Sequence, residues 1–259
     1  MMMLVLFFCI GLVAYMWWEA HRNRIVNVHV AFSDFPKSFR ALTIFFISDI
    51  HRRRVSKKII EQAQEKADIV VIGGDLTEKG VPLARTKENI RRLKQIAPTY
   101  FVWGNNDYEA DYERLDALLR QEGIHVLDNR AVTLRSKEGE KVALIGIDDV
   151  SKRKARLDSA LFGVEEEAFR IIACHNPEIK RKIRPAHRIA LVLSGHTHGG
   201  QIRLGRFGIK EKGGLKQIKQ TVLFISNGYG TRRIPLRFGA PAEANLITIE
   251  CKAEDAPRA

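Results

Sequence analysis

An α/β fold of two packed sheets, preceded by a membrane-spanning helix, follows from three observations on this sequence. The first eighteen residues, MMMLVLFFCIGLVAYMWW, carry no charged side chain. From Arg24 to Gly123, short β-branched runs alternate with helical stretches, the pattern of parallel βαβ units. From Ala131 onward strands follow one another with little helix between them, which predicts a second sheet packed on the first.

The leader is long enough to cross a bilayer core, which takes roughly 17–25 apolar residues. No Lys or Arg precedes it and no A-x-A follows it, so it lacks the marks of a cleaved signal peptide. Tyr15, Trp17 and Trp18 stand where an aromatic belt meets the head groups. Arg22 and Arg24 lie just past the span, and the positive-inside rule then puts the bulk of the chain in the cytoplasm. The expected organisation is a transmembrane anchor over 1–20, a juxtamembrane segment with the first strand over 21–40, a main domain over 41–250 and a tail over 251–259. The expected location is the cell membrane, single-pass.

In the body, RIVNVHVAF reads as a strand and ALTIFFIS as a buried one. A helix is expected from Ser56, its N-cap, to Lys66. ADIVVIGG is the next strand, Thr86 to Ile96 the next helix, and PTYFVWG the next strand. Asp111 to Glu122 reads as a helix ended by Gly123. AVTLRS, KVALIGI, FRIIAC, RIALVLSG, QIRL, TVLFIS and NLITIE complete the strands.

With 45% hydrophobic and 28% charged residues, the chain of 259 is an ordinary globular one. Its net charge of +13 favours anionic partners: nucleic acid, acidic lipid or phosphorylated molecules. Cys9, Cys174 and Cys251 are too few and too scattered for a disulfide framework or a zinc ribbon.

Chemistry concentrates at the strand ends. ALTIFFIS runs into Asp49-Ile-His51, ADIVVIGG into Asp75, PTYFVWG into Asn105, FRIIAC into His175, and RIALVLSG into His196-Thr-His198. Taken singly, each motif also reads as turn or cap chemistry, because Asn, Asp and Gly suit turns. Turn chemistry gives no reason for metal-competent side chains to recur past five apolar strands, at the edge where open α/β sheets bind ligands. Mixed carboxylate, amide and imidazole donors suit Mn²⁺, Fe or Zn²⁺. They suffice for two ions if one carboxylate bridges.

The ordered set SDIH, GGDLTEKG, GNND, ACHNP and SGHTHGGQ resembles the calcineurin-like metallophosphoesterase superfamily, most closely its membrane-anchored bacterial branch. The late SNGYGTRRIPLRFGAPAE is similar to that branch's closing segment. The resemblance implies a four-layer α/β/β/α sandwich with two divalent metals, Mn²⁺ foremost. Asp49, His51 and His198 would hold one ion, Asn105, His175 and His196 the other, with Asp75 bridging. A metal-bridging hydroxide would attack phosphorus in line.

One position departs from the branch. Asn106 stands where GNHD has a histidine, and an amide can donate a hydrogen bond but cannot give up a proton. Losing general acid catalysis, typically worth ~10²–10⁴-fold, hurts poor leaving groups most. The expectation is therefore a hydrolase of phosphodiesters or pyrophosphates, with Asn106 in the catalytic position. A scaffold that has lost turnover and a nuclease are the other readings. Arg52, Arg232 and Arg233 are candidate phosphate contacts, and Arg53, Arg54 and Arg237 lie in the same basic runs. Contact with anionic lipid is the competing role for them. A lipid-linked phosphate is an attractive substrate beside an anchor, and no nucleic-acid-reading motif is present.

Overall fold

A computed structural model describes residues 1–252 of the chain. α1 (Met2–Ala20) is apolar on all sides, and only Glu19 and Ala20 at its end are buried. Among the described residues it is the one helix long and apolar enough to cross a membrane, with a mean hydropathy of 1.8. The chain then enters β1 (Ile25–Phe32) and β2 (Ala41–Ile47), as their β-branched runs predict.

α2 (Lys57–Ala63) starts where expected, with the Ser56 hydroxyl accepting from Lys58 N, but stops three residues short. Glu65 takes a left-handed conformation, φ 63°, which no helix continues. After β3 (Ile69–Ile72), α3 (Leu83–Leu93) begins three residues before the expected Thr86. Pro82 sets its start, and Thr86, Asn89, Ile90 and Leu93 form its buried face. β4 (Thr99–Phe101) leads into a short helix, α4 (Asn105–Glu109), where the sequence suggests only a turn. α5 (Tyr112–Gln121) is capped by Asp111 and ends at left-handed Gly123, as read from sequence.

The two-residue β5 (His125–Val126) escapes sequence reading. β6 (Arg130–Arg135) and β7 (Lys141–Ile147) follow, then a short α6 (Leu157–Leu161). β8 (Phe169–Cys174) and β9 (Ile189–Ser194) are buried at every residue. QIRL forms only a small hairpin, β10 (Arg203–Leu204) with β11 (Phe207–Gly208). β12 (Gly214–Ile218), β13 (Thr221–Ile225) and β14 (Ala244–Cys251) end the fold. Cys251 thus closes a strand instead of opening a tail, and residues 253–259 of the expected tail lie outside the described residues.

The first sheet has the order β1-β14-β2-β3-β4-β5 and the second β12-β13-β9-β8-β7-β6. β14 corrects the expectation that every strand of the second half joins the second sheet. It inserts between β1, which it pairs in parallel, and β2, which it pairs antiparallel. β1, expected as part of a juxtamembrane segment, is therefore an edge strand of the first sheet.

Period-two alternation builds the layers. Phe45, Ile47, Val70 and Ile72 face a helical layer carrying Ile59, Ile90, Leu93 and Leu115. Their neighbours Ile44, Phe46 and Val71 pack against Leu144, Ile171, Leu193 and Phe224 of the second sheet. On its far side Ile145, Ile172 and Val192 meet Leu157, Ala160 and Ile179. Three apolar interfaces between four layers make the α/β/β/α sandwich.

Candidate metal centre

β2, β3 and β4 are adjacent and parallel, as are β8 and β9, so their C-terminal ends open on one crevice between the sheets. Asp49, His51, Asp75, Asn105, His175 and His198 all converge there and are buried, with His196 at the mouth. Asp49, His51, Asp75, His196 and His198 have φ between 51° and 68°. A left-handed non-glycine residue costs of order 1–3 kcal/mol, so five in one crevice mark stored strain. Two glycines make room for the acids. A Cβ on Gly104 would strike the Asp75 carboxylate, and one on Gly195 would strike Asp49 and Ser48.

The donor atoms crowd together. Those of Asp49, His51 and His198 lie within 4.8 Å of one another, and so do those of Asp49, Asp75 and His175. His51 Nε2 is 3.2 Å from His198 Nε2, and His198 Nε2 is 3.3 Å from Asp49 Oδ1. Asp75 Oδ2 lies 3.2 Å from His175 Nε2 and 3.8 Å from His51 Nε2, so this carboxylate touches both groups. His196 Nδ1 is 3.2 Å from His175 Nε2. The ring of His175 is oriented by Nδ1 against Gly73 O at 2.9 Å, which leaves Nε2 for the crevice.

Asp49 Oδ1 and Asn105 Oδ1 are buried with no hydrogen-bond partner among the described residues. A buried acceptor left unpaired is expensive. An orphaned carboxylate oxygen facing an imidazole nitrogen, with an orphaned amide oxygen in the same crevice, is what a divalent cation would satisfy, so the residues present fit the metals that the sequence motifs imply.

Charge follows the same geometry. Burial alone would raise Asp75, but His175, His51 and the Asn106 amide hold it well below the usual carboxylate range. Burial opposes protonation of His175, yet Asp75 and Asp49 overcome it and push the imidazole up to about 10. His196 is driven down to about 3 by burial, His175, Lys210 and Arg232. His198 falls well below its ordinary value through burial and the neighbouring His51 and Arg237. Those two rings are neutral and keep a lone pair free.

Asn106 sits directly on Asp75. Its Nδ2 donates to Asp75 Oδ2 at 2.6 Å and its backbone N to Oδ1 at 2.7 Å. Asp107, the next residue, accepts from the backbone N of Asp75, Thr77 and Gly104. Its own carboxyl is raised to about 7 by burial and by Asp75. The short helix α4 thus aims the Asn105 and Asn106 side chains by pinning its first turn to the loop after β3.

The arginines divide. Arg232 is exposed at the rim, close enough to His196 and Lys210 for its charge to lower both. Arg233 is exposed beside it. Arg52 is bound to Glu78. Arg53 lies 3.9 Å above the Tyr229 ring and donates to the carbonyls of His21 and Arg22, and Arg54 pairs with Glu88. Arg237 is fully buried and donates to the carbonyls of Asn227, Gly230 and Ala240. Arg53 and Arg237 are therefore structural guanidiniums, although the sequence groups them with phosphate candidates.

Three features escaped sequence reading. Glu78 Oε2 lies 3.1 Å from His51 Nδ1, and its signal was the Glu three residues past Asp75. Lys210 Nζ lies 3.1 Å from His196 Nε2, with no local signal to announce it. Asp148 and Asp149 follow β7 directly, and the rule that picked out the other strand ends would have found them. Asp148 accepts from the Tyr108 hydroxyl at 2.8 Å and is raised to about 6, chiefly by burial.

Comparison with known proteins agrees with this geometry. The sequence profile of the calcineurin-like phosphoesterase family matches residues 42–200. The chain is 45% identical to the Bacillus subtilis protein YpbG over 210 residues, covering 80% of this chain and 81% of that one. It is 32% identical to a Danio rerio transmembrane protein with a metallophosphoesterase domain, spanning 89% of this chain but 58% of the relative. Phosphodiesterase YaeI of Escherichia coli is 27% identical, with 90% and 88% covered. Among solved structures, the phosphopantetheinyl hydrolase PptH of Mycobacterium tuberculosis shares the fold at a TM-score of 0.50 and 12% identity, covering 76% and 95%. With the profile spanning more than half its length, the chain belongs to the calcineurin-like phosphoesterase family.

Proposed function

We propose that this protein is a membrane-anchored, dinuclear metal-dependent phosphoesterase facing the cytoplasm and hydrolysing phosphodiester or pyrophosphate bonds. The observation that carries the reading is Asp75, whose carboxylate touches both imidazole groups while Asn106 holds it in place. Asp49, His51 and His198 would hold one ion, and Asn105, His175 and His196 the other, with Asp75 shared. When bound, the two ions supply a nucleophile at neutral pH and neutralise charge on the phosphoryl oxygens; Mn²⁺ is favoured, with Fe and Zn²⁺ compatible with the donors.

The chain's own residues do the rest. Glu78 orients His51, and Gly73 O orients His175, so each ring presents one nitrogen to the crevice. Lys210, Arg232 and Arg233 line the anionic substrate's approach from the rim, and Arg52 stands beside Glu78. Asn106 donates one amide hydrogen to Asp75 and has a second for a phosphoryl or leaving-group oxygen. An amide cannot protonate the leaving group, so good leaving groups are preferred. The name of the Escherichia coli relative, a phosphodiesterase, supports that preference. Arg22 and Arg24 after the span support the cytoplasmic orientation.

The test is an assay of the full chain in nanodiscs with Mn²⁺, offering an activated aryl phosphodiester beside the matching monoester. Metal-dependent turnover of the diester, absent in Asp75→Asn, is the expected result. Tight metal binding without turnover of either ester would instead favour a scaffold, above all if Asn106→His restored activity. Preference for single-stranded DNA over both esters would favour a nuclease.

A further inference from the structure

The segment that closes the site's rim runs beside α1. Arg237 N donates to Met16 O at 2.9 Å, and the Phe238 ring meets Tyr15 edge-on at 6.1 Å. Leu236 shares an apolar groove with Cys9, Ile10, Val13, Ala14 and Trp17 of the helix. From Trp17 back to Cys9 is ~12 Å of helix, about two turns. α1 has 19 residues, ~28 Å, and a bilayer core is ~30 Å thick, so the span has no length to spare. A boundary drawn above Leu236 would strand the rest of α1 in water and leave too little to cross. The geometry therefore sets Leu236 below the membrane surface if α1 spans.

The composition and hydrogen bonding of this segment agree. Ile234 is 50% exposed, Pro235 has no N–H to satisfy, and Leu236 is apolar. Ile234 N donates to Arg232 O, Ile234 O accepts from Gln201 Nε2 at 3.0 Å, and Phe238 N donates to Gln201 O at 2.9 Å. Such partners lower the cost of bringing a loop's backbone close to the apolar part of a bilayer, where lipid offers none. The adjoining hairpin, joined at Arg203 N to Phe238 O, exposes Leu204, Phe207 and Ile209 at 70%, 69% and 91%. Buried Arg203 braces it by donating to the carbonyls of Gly199, Arg206 and Lys210. Arg206 lies 5.2 Å from the Phe207 ring, and exposed Lys212, Arg232 and Arg233 adjoin the hairpin and loop along the chain, positive charges suited to anionic head groups.

We infer that the loop Arg232–Phe238 and the hairpin Arg203–Ile209 dip into the head-group layer beside α1, holding the mouth of the crevice against an anionic bilayer surface. The inference rests on the phosphoesterase reading for its second half: the substrate is a phosphoester carried on a lipid or other amphiphile, presented from the membrane. Gln201, three residues past His198, bonds both Arg232 and Ile234, so one loop carries the rim contact and the crevice's edge.

The test uses the full chain in nanodiscs containing phosphatidylglycerol, with Cys9→Ser and Cys251→Ser; Cys174 is fully buried and does not label. Nitroxides placed through Ile234→Cys, Phe207→Cys and, as a distant control, Phe162→Cys are read by power saturation against oxygen and a nickel chelate. Oxygen accessibility exceeding chelate accessibility at 234 and 207, and the reverse at 162, is expected. An aqueous signature at either 234 or 207 overturns the surface, whatever the enzyme does. With Mn²⁺ loaded, an aryl phosphodiester bearing a dodecyl chain should be turned over about tenfold faster than its methyl counterpart, a preference lost in Phe207→Ser/Ile234→Ser. Equal rates for the two esters overturn the amphiphile substrate. Turnover of neither, with membrane depth confirmed at both labels, sinks the phosphoesterase reading while upholding the surface.

Discussion

The floor of the crevice and its rim are built on opposite principles. Floor residues sit one to four positions past buried strands, five of the seven in strained left-handed conformations, with their carboxylates and rings locked by neighbours. Rim residues sit on a hairpin and a loop whose backbones are braced by Gln201 and Arg203 while their side chains project outward. A floor of that kind fixes donor atoms to the tolerance that metal chemistry needs. The rim fixes only where the opening points and what may approach it.

The largest effect should come from the floor's shared carboxylate. Asp75→Asn leaves the shape and the Asn106 contact almost intact but removes the charge that both imidazole groups face. A loss of several kcal/mol of transition-state stabilisation, on the order of a thousandfold in kcat/KM, is expected. Metal content by mass spectrometry should fall with it. Retained turnover with full metal content would show that floor and rim do not differ as described.

The second effect tests how far the floor extends. Among the described residues, the Glu78 carboxylate pairs with His51 Nδ1 and Arg52. Glu78→Gln keeps the size and loses the charge, and metal affinity should fall by about 10–100-fold while secondary structure by circular dichroism is unchanged. An unaltered affinity would make Glu78 part of the rim.

The same contrast explains what could be read from sequence. A strand that runs into Asp49, Asp75 or His175 is a local signal, because an apolar run and its polar end are contiguous. The sheet edges and the ligand candidates were legible for that reason. β14 was read as a strand but not as a member of the first sheet, because partner choice depends on a return across the whole chain. Arg53 and Arg237 look like phosphate binders in sequence, since a guanidinium donating to backbone carbonyls has no local mark. Lys210 was invisible because hairpin geometry alone carries it to His196.

A third effect follows from protons in the metal-free floor. His175 is raised to about 10 from an ordinary 6.5, so folding binds its proton more tightly. In the metal-free protein this contribution to stability is fully present below 6.5 and is lost as pH rises through about 10. A metal must displace that proton from Nε2, so Mn²⁺ affinity should rise by about tenfold per pH unit from neutrality towards that value. Calorimetry in buffers of differing ionisation enthalpy should register about one proton released at pH 8 as the ion held by His175 binds. No proton release would place the charge of the Asp75–His175 pair elsewhere.

The smallest effect belongs to the rim. Lys210 reaches His196, yet it is carried on an exposed hairpin, and its charge is partly screened by water. Burial and Arg232 lower its pKa, while Asp49 and Asp75 counter them, so its ammonium is suited to meeting an anion arriving at the crevice. A charge contact screened to that degree is worth about 1 kcal/mol, roughly fivefold. Lys210→Met should therefore raise KM for an anionic diester by about that factor with kcat nearly unchanged, and the increase should shrink in high salt. A fall in kcat with KM constant would move Lys210 from the approach to the reacting atoms. The hairpin would then belong to the floor in function, although it is built as rim.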